Sequence, residues 1–223
     1  MIMELVTAVR ERRSIRKFQP TEVPRSLITE ILHEARWSPS WGNTQSWEFY
    51  ILTGTTLAKV KEMNIEKPIA GEAPSPDVQM PEIWPELMKA RYAELGKVLL
   101  TAIGIKREDQ ESRIKYLLDM VSLFGAPCLI LACISRDIFV EYPMLDIGLI
   151  TQSICLLAHD KGLGTCIMAS AVRYPAAIKK IAMIPEDRRI IAGIALGYPE
   201  PNYPLNHIDR KRADITEFVH WVD

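Results

Sequence analysis

A short segment rich in arginine, residues 10–17, is the first feature of this sequence that could do chemistry. It holds four arginines, one lysine, one serine and a single acid, in the order Arg10, Glu11, Arg12, Arg13, Ser14, Ile15, Arg16 and Lys17. The whole chain carries a net charge of -1, so this concentration of positive charge is local. Arginine donates two parallel hydrogen bonds to phosphate-like groups. The basic arm, residues 12–16, therefore predicts a site for one anionic group.

Two other segments carry polar groups that could belong to the same site. A second basic cluster, Arg210-Lys211-Arg212, lies near the other end of the chain. Residues 38–46, the polar loop, are dense in hydroxyl, amide and indole groups. By itself this loop is equally well explained as an ordinary surface connection. It gains functional meaning only from the basic segments before and after it.

Other chemistries find little support in the sequence. Gly162-Leu163-Gly164 lacks the third glycine of a dinucleotide fingerprint, because Ile167 stands there, and it follows a helix where the fingerprint follows a strand. A helix end and a turn explain it better. The four histidines are scattered without triad or metal spacing, so we expect no metal site and name no catalytic residue. The four cysteines form no CxxC pair, and we interpret them as core residues of a reducing compartment.

Composition and length narrow the class of protein. A chain of 223 residues with 48% hydrophobic and 25% charged residues is typical of one globular domain. The near-neutral charge argues against nucleic acid as a partner, since such binding needs an extended basic face. The first 16 residues contain no uninterrupted apolar stretch long enough for a secretory signal, and no apolar run approaches the length of a membrane span. We therefore expect a cytoplasmic protein that does not bind membranes.

The pattern of apolar residues predicts helices and strands in an α/β alternation, with a helical middle. Helices are expected at about 3–12, 24–37, 55–67, 85–104, 107–123, 143–161, 174–183 and 213–222, and strands at 47–53, 127–135, 165–169 and 189–197. The helix at 143–161 is apolar nearly all round and is expected in the centre of the core. Residues 68–85 contain five prolines and are expected to form a long surface excursion.

An ordered set of motifs resembles the FMN-dependent nitroreductase family, and less specifically its nitrobenzoate-reductase-like branch. The motifs are the basic arm Arg12-Arg13-Ser14-Ile15-Arg16, the loop Pro39 to Gln45, the segment Gly162 to Ala169, and the ending Ala195-Leu196-Gly197-Tyr198-Pro199 with Arg210-Lys211-Arg212. The likeness covers the chain except residues 66 to about 125. It implies an α+β, three-layer fold with a central mixed, mostly antiparallel sheet flanked by helices and an inserted helical segment at 66–125. It also implies one FMN-binding domain over residues 1–223.

The resemblance further implies a homodimer with two FMN sites at the subunit interface, which the apolar Phe218 and Trp221 near the end of the chain favour. By similarity, the phosphate and ribityl chain are bound by Arg12, Arg13, Ser14 and Arg16, with Arg212 as a second phosphate ligand and Arg210 as a weaker candidate. Pro39, Ser40, Trp41 and Asn43 come from the partner subunit. Ile167, Met168, Ala169 and Ser170 line the flavin ring, with a backbone N–H near residues 169 and 170 directed at N5.

Two positions depart from the family pattern. Ser46 stands where the family often has proline, which loosens the polar loop. Ala169 stands where many relatives carry a glutamate near flavin N5, so a role for such a carboxylate is in doubt here.

The activity implied by the family is transfer of hydride from NAD(P)H to FMN and then of electrons to a small-molecule acceptor, such as a nitroaromatic or a quinone, in a ping-pong cycle. The cofactor carries this chemistry and the protein positions it. Alternatives are the same fold with another reaction (dehalogenation, enone reduction or flavin destruction), a flavin-binding protein without turnover, and a nucleic-acid or partner-binding module that uses the basic arm.

Overall fold

The computed structural model describes residues 3–222, which form helices and strands in nearly the predicted order. The helices are α1 (Leu5–Glu11), α2 (Arg25–Ala35), α3 (Gly54–Ile69), α4 (Glu86–Ala102), α5 (Gln110–Val121), α6 (Glu141–Asp160) and α7 (Pro175–Ala182). The strands are β1 (Glu48–Leu52), β2 (Cys128–Ser135), β3 (Gly164–Met168) and β4 (Arg188–Gly197). Within this part of the chain, no helix is long and apolar enough to cross a membrane.

The four strands form one sheet in the order β1-β2-β4-β3, and all three pairings are antiparallel. The basic arm adds two isolated bridges to this sheet. Ser14 pairs with Thr165 of β3 in parallel, and Phe18 pairs with Pro199 in antiparallel orientation. The predicted mixed, mostly antiparallel sheet is therefore confirmed, and the basic arm supplies the parallel contact.

Strand β2 shows why the fold has three layers. Its side chains alternate between the two faces of the sheet, and seven of its eight residues are buried. Leu129 and Leu131 belong to the core that contains residues of α3 and α7, whereas Cys128 and Ile130 belong to the core that contains residues of α2 and α6. A strand covered on both faces is a continuous apolar run, as the sequence of β2 is. The α+β three-layer architecture is thus confirmed.

The four cysteines lie where the sequence predicted them. All are buried and none is in a disulfide. Burial raises the pKa of Cys128 and of Cys133 to about 12, so these thiols stay protonated at neutral pH. They serve as small apolar residues of the core.

The prediction that the long apolar helix lies wholly in the core is wrong for one of its faces. Ile147, Ile150 and Ile154 of α6 are buried, but Leu145 is 59% and Leu149 is 38% exposed. The sheet and α2 cover only one side of α6. The opposite side is an apolar surface that nothing within residues 3–222 covers.

The prediction of an amphipathic helix at 213–222 is also wrong. The structure has only a single 3₁₀ turn, Ile215–Glu217, capped by the side chain of Asp214. Phe218 and Trp221 are mostly exposed. A short helix is marginal in water without a surface to pack on, and the part of the chain that the structure describes leaves Phe218 and Trp221 uncovered.

The proline-rich excursion begins later than predicted and is anchored to the rest of the fold, most extensively through Asp77. Helix α3 continues to Ile69 and includes Pro68 in its last turn, and the following residues up to Pro85 contain no helix or strand. The carboxylate of Asp77 accepts a hydrogen bond from the backbone N–H of Ile190 at 2.9 Å and pairs with Arg136 and with the buried Lys179. This anchor fixes the first part of the excursion against β4 and α7.

Candidate functional site

A cavity of about 530 Å³, here called the arginine cavity, brings the two basic segments together. The basic arm forms one wall, the tail around residues 208–213 a second, and α4 a third. The predicted site residues that line it are Arg12, Arg13, Ser14, Arg16, Arg210 and Arg212. Residues almost 200 positions apart in the sequence therefore share one concave, positively charged surface.

The basic arm is held in an extended conformation along β3. The N–H of Ile15 donates to the carbonyl oxygen of Thr165 at 2.9 Å, and the Ile15 side chain is buried. A Cβ atom at Gly164 would overlap the side chain of Ile15, so glycine is required for this close approach. Gly162, at φ +74°, ends α6 in a Schellman motif, with its N–H bonded to His159 and that of Leu163 to Ala158. The interpretation of Gly162-Leu163-Gly164 as a helix end and turn is confirmed.

Asn206 fixes the end of the basic arm and was not predicted from the sequence. Its side chain is 3% exposed and its oxygen accepts from the N–H of Arg16 at 2.7 Å. Its amide group donates to the carbonyls of Lys17 and Glu200, both at 2.9 Å. A lone asparagine in a proline-rich tail looks like an ordinary turn residue, so only its tertiary contacts reveal this role.

Arg210 ties the tail to the arm through the backbone. Its guanidinium donates to the carbonyl oxygens of Arg10 and Arg12. Burial lowers the pKa of Arg210, and the positive charges of Arg13, Arg212 and Arg12 lower it further. The crowding of these guanidinium groups is unfavourable without a counter-charge, so the cavity favours an anion.

Helix α4 forms the third wall and is linked to the tail by two exposed ion pairs. Arg91 lies 2.7 Å from Glu217, and Lys211 lies 2.5 Å from Glu94. Exposed pairs of this kind contribute about 0–1 kcal/mol each. They orient the wall more than they stabilise the fold. The sequence had assigned no site role to these charges on α4.

The polar loop does not reach the arginine cavity of its own chain. The buried carboxylate of Asp146, on α6, accepts from the backbone N–H of Trp41 at 2.9 Å and from the hydroxyl of Ser46 at 3.2 Å. The ring of Trp41 stacks on Tyr142 at 5.1 Å between centroids. Of the predicted residues Pro39, Ser40, Trp41 and Asn43, Trp41 therefore contacts the first half of α6, and the other three flank it in the same loop.

The predicted flavin-lining segment follows the part of β3 that pairs with the arm. Ile167 is 47% exposed, whereas the side chain of Met168 is buried in the core and can offer only its backbone to a ligand. Ala169 and Ser170 begin a 3₁₀ turn, Ala169–Val172. None of these four residues lines the arginine cavity itself. The Ser14–Thr165 bridge nevertheless places them on the strand that carries the arm.

The contacts of Asn206 lead to a prediction about the basic arm. Asn206→Ala removes three backbone hydrogen bonds, each contributing about 1 kcal/mol, and leaves buried groups unpaired. We expect faster hydrogen exchange at the Arg16 amide, measured by mass spectrometry without added ligand, and a free energy of unfolding lower by about 2–4 kcal/mol. Asn202→Ala, at an exposed position in the same tail, is the matched control. Equal exchange in the two variants would contradict the role of Asn206.

Comparisons with known proteins agree with this geometry. The model of the Nitroreductase family matches residues 9–198. The chain is 30% identical to a 4-nitrobenzoate reductase of Pseudomonas putida over 216 residues, covering 96% of this chain and 93% of that protein. It is 31% identical to a 4-nitrobenzoate reductase of Nocardioides sp. (strain LMS-CY), covering 96% of this chain and 89% of that protein.

A solved structure shows the same fold over the whole chain. The crystal structure described as the FMN- and NADPH-dependent nitroreductase NfnB from Sphigopyxis sp. strain HMH superposes with a TM-score of 0.94 at 26% identity, covering 99% of this chain and 100% of that one. The resemblance found in the sequence is confirmed, and with it the expectation of an oxidoreductase enzyme. The chain belongs to the nitroreductase family.

Proposed function

We propose that this protein is an FMN-dependent oxidoreductase that uses NAD(P)H to reduce a nitroaromatic or quinone acceptor. The observation that supports the proposal most strongly is the arginine cavity. Five arginines from two distant segments line it, and the basic arm is held there by backbone hydrogen bonds rather than by acids. A cofactor with a terminal phosphate fits this charge, and the cavity volume lies within the usual range for ligand sites.

The residues present fit the polar end of FMN. Arg12, Arg13 and Arg16 offer guanidinium groups for the phosphate, and the hydroxyl of Ser14 can donate to the phosphate or the ribityl chain. Arg212 supplies a second side chain from the tail. Arg210 has both terminal nitrogens directed at backbone carbonyls, so its main role in our proposal is to hold the arm in place.

The ring end of FMN is assigned to the end of β3. Ile167 and Ala169 offer exposed apolar surface there, and the backbone N–H groups near residues 169 and 170 would orient N5. When bound, FMN supplies hydride acceptance from NAD(P)H and electron donation to the acceptor. The chain itself binds the cofactor, orients its ring and stabilises negative charge through fixed donors. No side-chain nucleophile takes part.

A homodimer completes the site in this proposal. The outward face of α6 and the neighbouring α1 expose Leu145, Leu149, Leu5, Val6 and Val9, an apolar surface typical of a protein–protein contact. The polar loop lies on this same helix, away from the arginine cavity of its own chain. Association through α6 would therefore bring the loop of one subunit to the cofactor of the other.

The proposal also covers the domain organisation of the chain and the role of its helical insert. The chain acts as one FMN-binding domain, and residues 66–125 serve as lid and substrate wall because α4 already borders the arginine cavity. The two relatives named 4-nitrobenzoate reductases favour a nitroaromatic acceptor. A cytoplasmic location stays a prediction from the sequence.

Comparing the binding of FMN with that of riboflavin tests whether the arginine cavity holds the phosphate. Arg12→Ala and Arg212→Ala each remove a charged hydrogen bond to the phosphate, which contributes about 1.5–3 kcal/mol. We expect FMN affinity to fall by about tenfold or more, while riboflavin, which lacks the phosphate, binds as before. Flavin fluorescence titration of the protein freed of cofactor measures both. Arg25→Ala, exposed on α2, is the control. Equal losses for the two flavins would contradict the assignment.

Steady-state kinetics test the proposed reaction. Because one cofactor site serves donor and acceptor in turn, initial rates measured against NADPH at several acceptor concentrations should give parallel double-reciprocal lines, the ping-pong pattern. 4-Nitrobenzoate and a benzoquinone are suitable acceptors. Intersecting lines would overturn the ping-pong mechanism. NADPH consumption that neither acceptor stimulates would favour another reaction on the same fold.

The dimer has its own test. Leu145→Glu places a charge on the outward face of α6, and we expect a monomer in analytical ultracentrifugation with weakened FMN binding. Ile69→Glu, at an exposed apolar position on α3, is the matched control and should leave both unchanged. A wild-type protein that sediments as a monomer yet retains FMN would refute a site shared between subunits.

A further inference from the structure

A second cavity, here called the helix pocket, lies between α4 and α5 and has a volume of about 290 Å³. Its walls are mostly apolar and include two tyrosines and one arginine, namely Tyr92, Leu95, Gly96, Leu99, Leu100, Arg113, Tyr116, Leu117 and Met120. It shares none of its residues with the basic arm. The family resemblance assigned no ligand to it.

Arg113 is the one cation among the residues lining the helix pocket. It is partly buried, and within residues 3–222 its guanidinium makes no hydrogen bond or ion pair. By contrast, Arg91 and Lys211 at the arginine cavity each pair with a glutamate. A cation beside apolar walls attracts an anion more strongly than one in open water, because the surrounding dielectric constant is lower. The pocket therefore favours a ligand with one negative charge and an apolar body.

Gly96 leaves more space in the helix pocket but makes helix α4 less stable. Glycine inside a helix is about 1 kcal/mol less favourable than alanine. A Cβ atom at Gly96 would meet no atom within 4 Å, so packing within this chain does not require glycine here. Tyr92 and Tyr116 line the same pocket. A flat aromatic ring matches these walls.

The helix pocket adjoins the arginine cavity. Leu95 lines both of them. Burial raises the pKa of the Tyr116 hydroxyl, and the nearby guanidinium of Arg16, which lines the arginine cavity, opposes that rise. Helix α5 also packs against the 3₁₀ turn Ala169–Val172, where the flavin ring is assigned. A ligand between α4 and α5 therefore lies on the side of the molecule that holds the ring, as an electron acceptor must.

We propose that the helix pocket binds an aromatic carboxylate, with Arg113 pairing with the carboxylate group, and that the electron acceptor of this protein belongs to that chemical class. Arg113 is then the residue that determines specificity for an acid over its neutral analogue. The inference rests on the proposed function only for the identity of the ligand as acceptor. The binding of the carboxylate does not depend on turnover.

The test compares an acid with its neutral isostere, 4-nitrobenzoate with 4-nitrobenzamide, on the purified protein with its bound cofactor and without NADPH. Isothermal titration calorimetry should show tighter binding of the acid to the wild type. Arg113→Gln should weaken binding of the acid by about tenfold and leave the amide unchanged, since only the acid loses a charge-assisted hydrogen bond. Lys115→Gln, which removes an exposed charge from the same helix, should change neither.

The outcomes separate the two proposals. If Arg113→Gln weakens the binding of both ligands equally, or of neither, the assignment of the helix pocket is overturned. If that result comes with normal reduction of both acceptors, the proposed function stands. If the acid binds through Arg113 but the protein takes up no FMN and oxidises no NADPH, the proposed function fails and the carboxylate site stands. In turnover, kcat/KM for the acid relative to the amide should fall about tenfold in Arg113→Gln alone.

Discussion

The site depends on the attachment of the basic arm to neutral backbone and amide groups. Several guanidinium groups converge on one cavity, and their mutual repulsion opposes the arrangement. Carboxylates could neutralise them, but a carboxylate within the cluster would also compete with an anionic ligand. The glutamates of the cavity, Glu94 and Glu217, pair with Lys211 and Arg91. The basic arm itself is held by β3, the amide of Asn206 and the carbonyls that Arg210 contacts. The guanidinium groups of the arm remain available to an anionic ligand because the groups that hold the arm are uncharged.

The need to attach the basic arm to β3 also explains features of the fold that lie away from the arginines. Gly164 must lack a side chain so that Ile15 can lie against β3, and the Schellman motif at Gly162 places that strand immediately after α6. Asp146 on α6 holds the polar loop on the helix whose other residues expose apolar surface. One helix therefore sets the position of the arm-bearing strand and of the loop.

Much of the fold and part of the candidate site could be predicted from short-range patterns in the sequence. The basic arm, the helix end at Gly162 and the buried strand β2 each have a short-range signature of charge, glycine or continuous apolar residues. The roles of Asn206 and Asp146 could not be predicted, because the contact of Asn206 with Arg16 and that of Asp146 with Trp41 each join residues more than 100 positions apart. The errors at α6 and at residues 213–222 share one cause. Apolar periodicity predicts that a surface will be covered but does not say whether the same chain covers it.

The central claim is that the arginine cavity holds FMN and that this flavin passes electrons from NAD(P)H to an acceptor. The most direct measurement is the visible absorption spectrum of the purified protein, followed by NADPH addition without oxygen and then by 4-nitrobenzoate. The account predicts a flavin spectrum that bleaches with NADPH and recovers with the acceptor. A colourless protein that does not take up added FMN would contradict it.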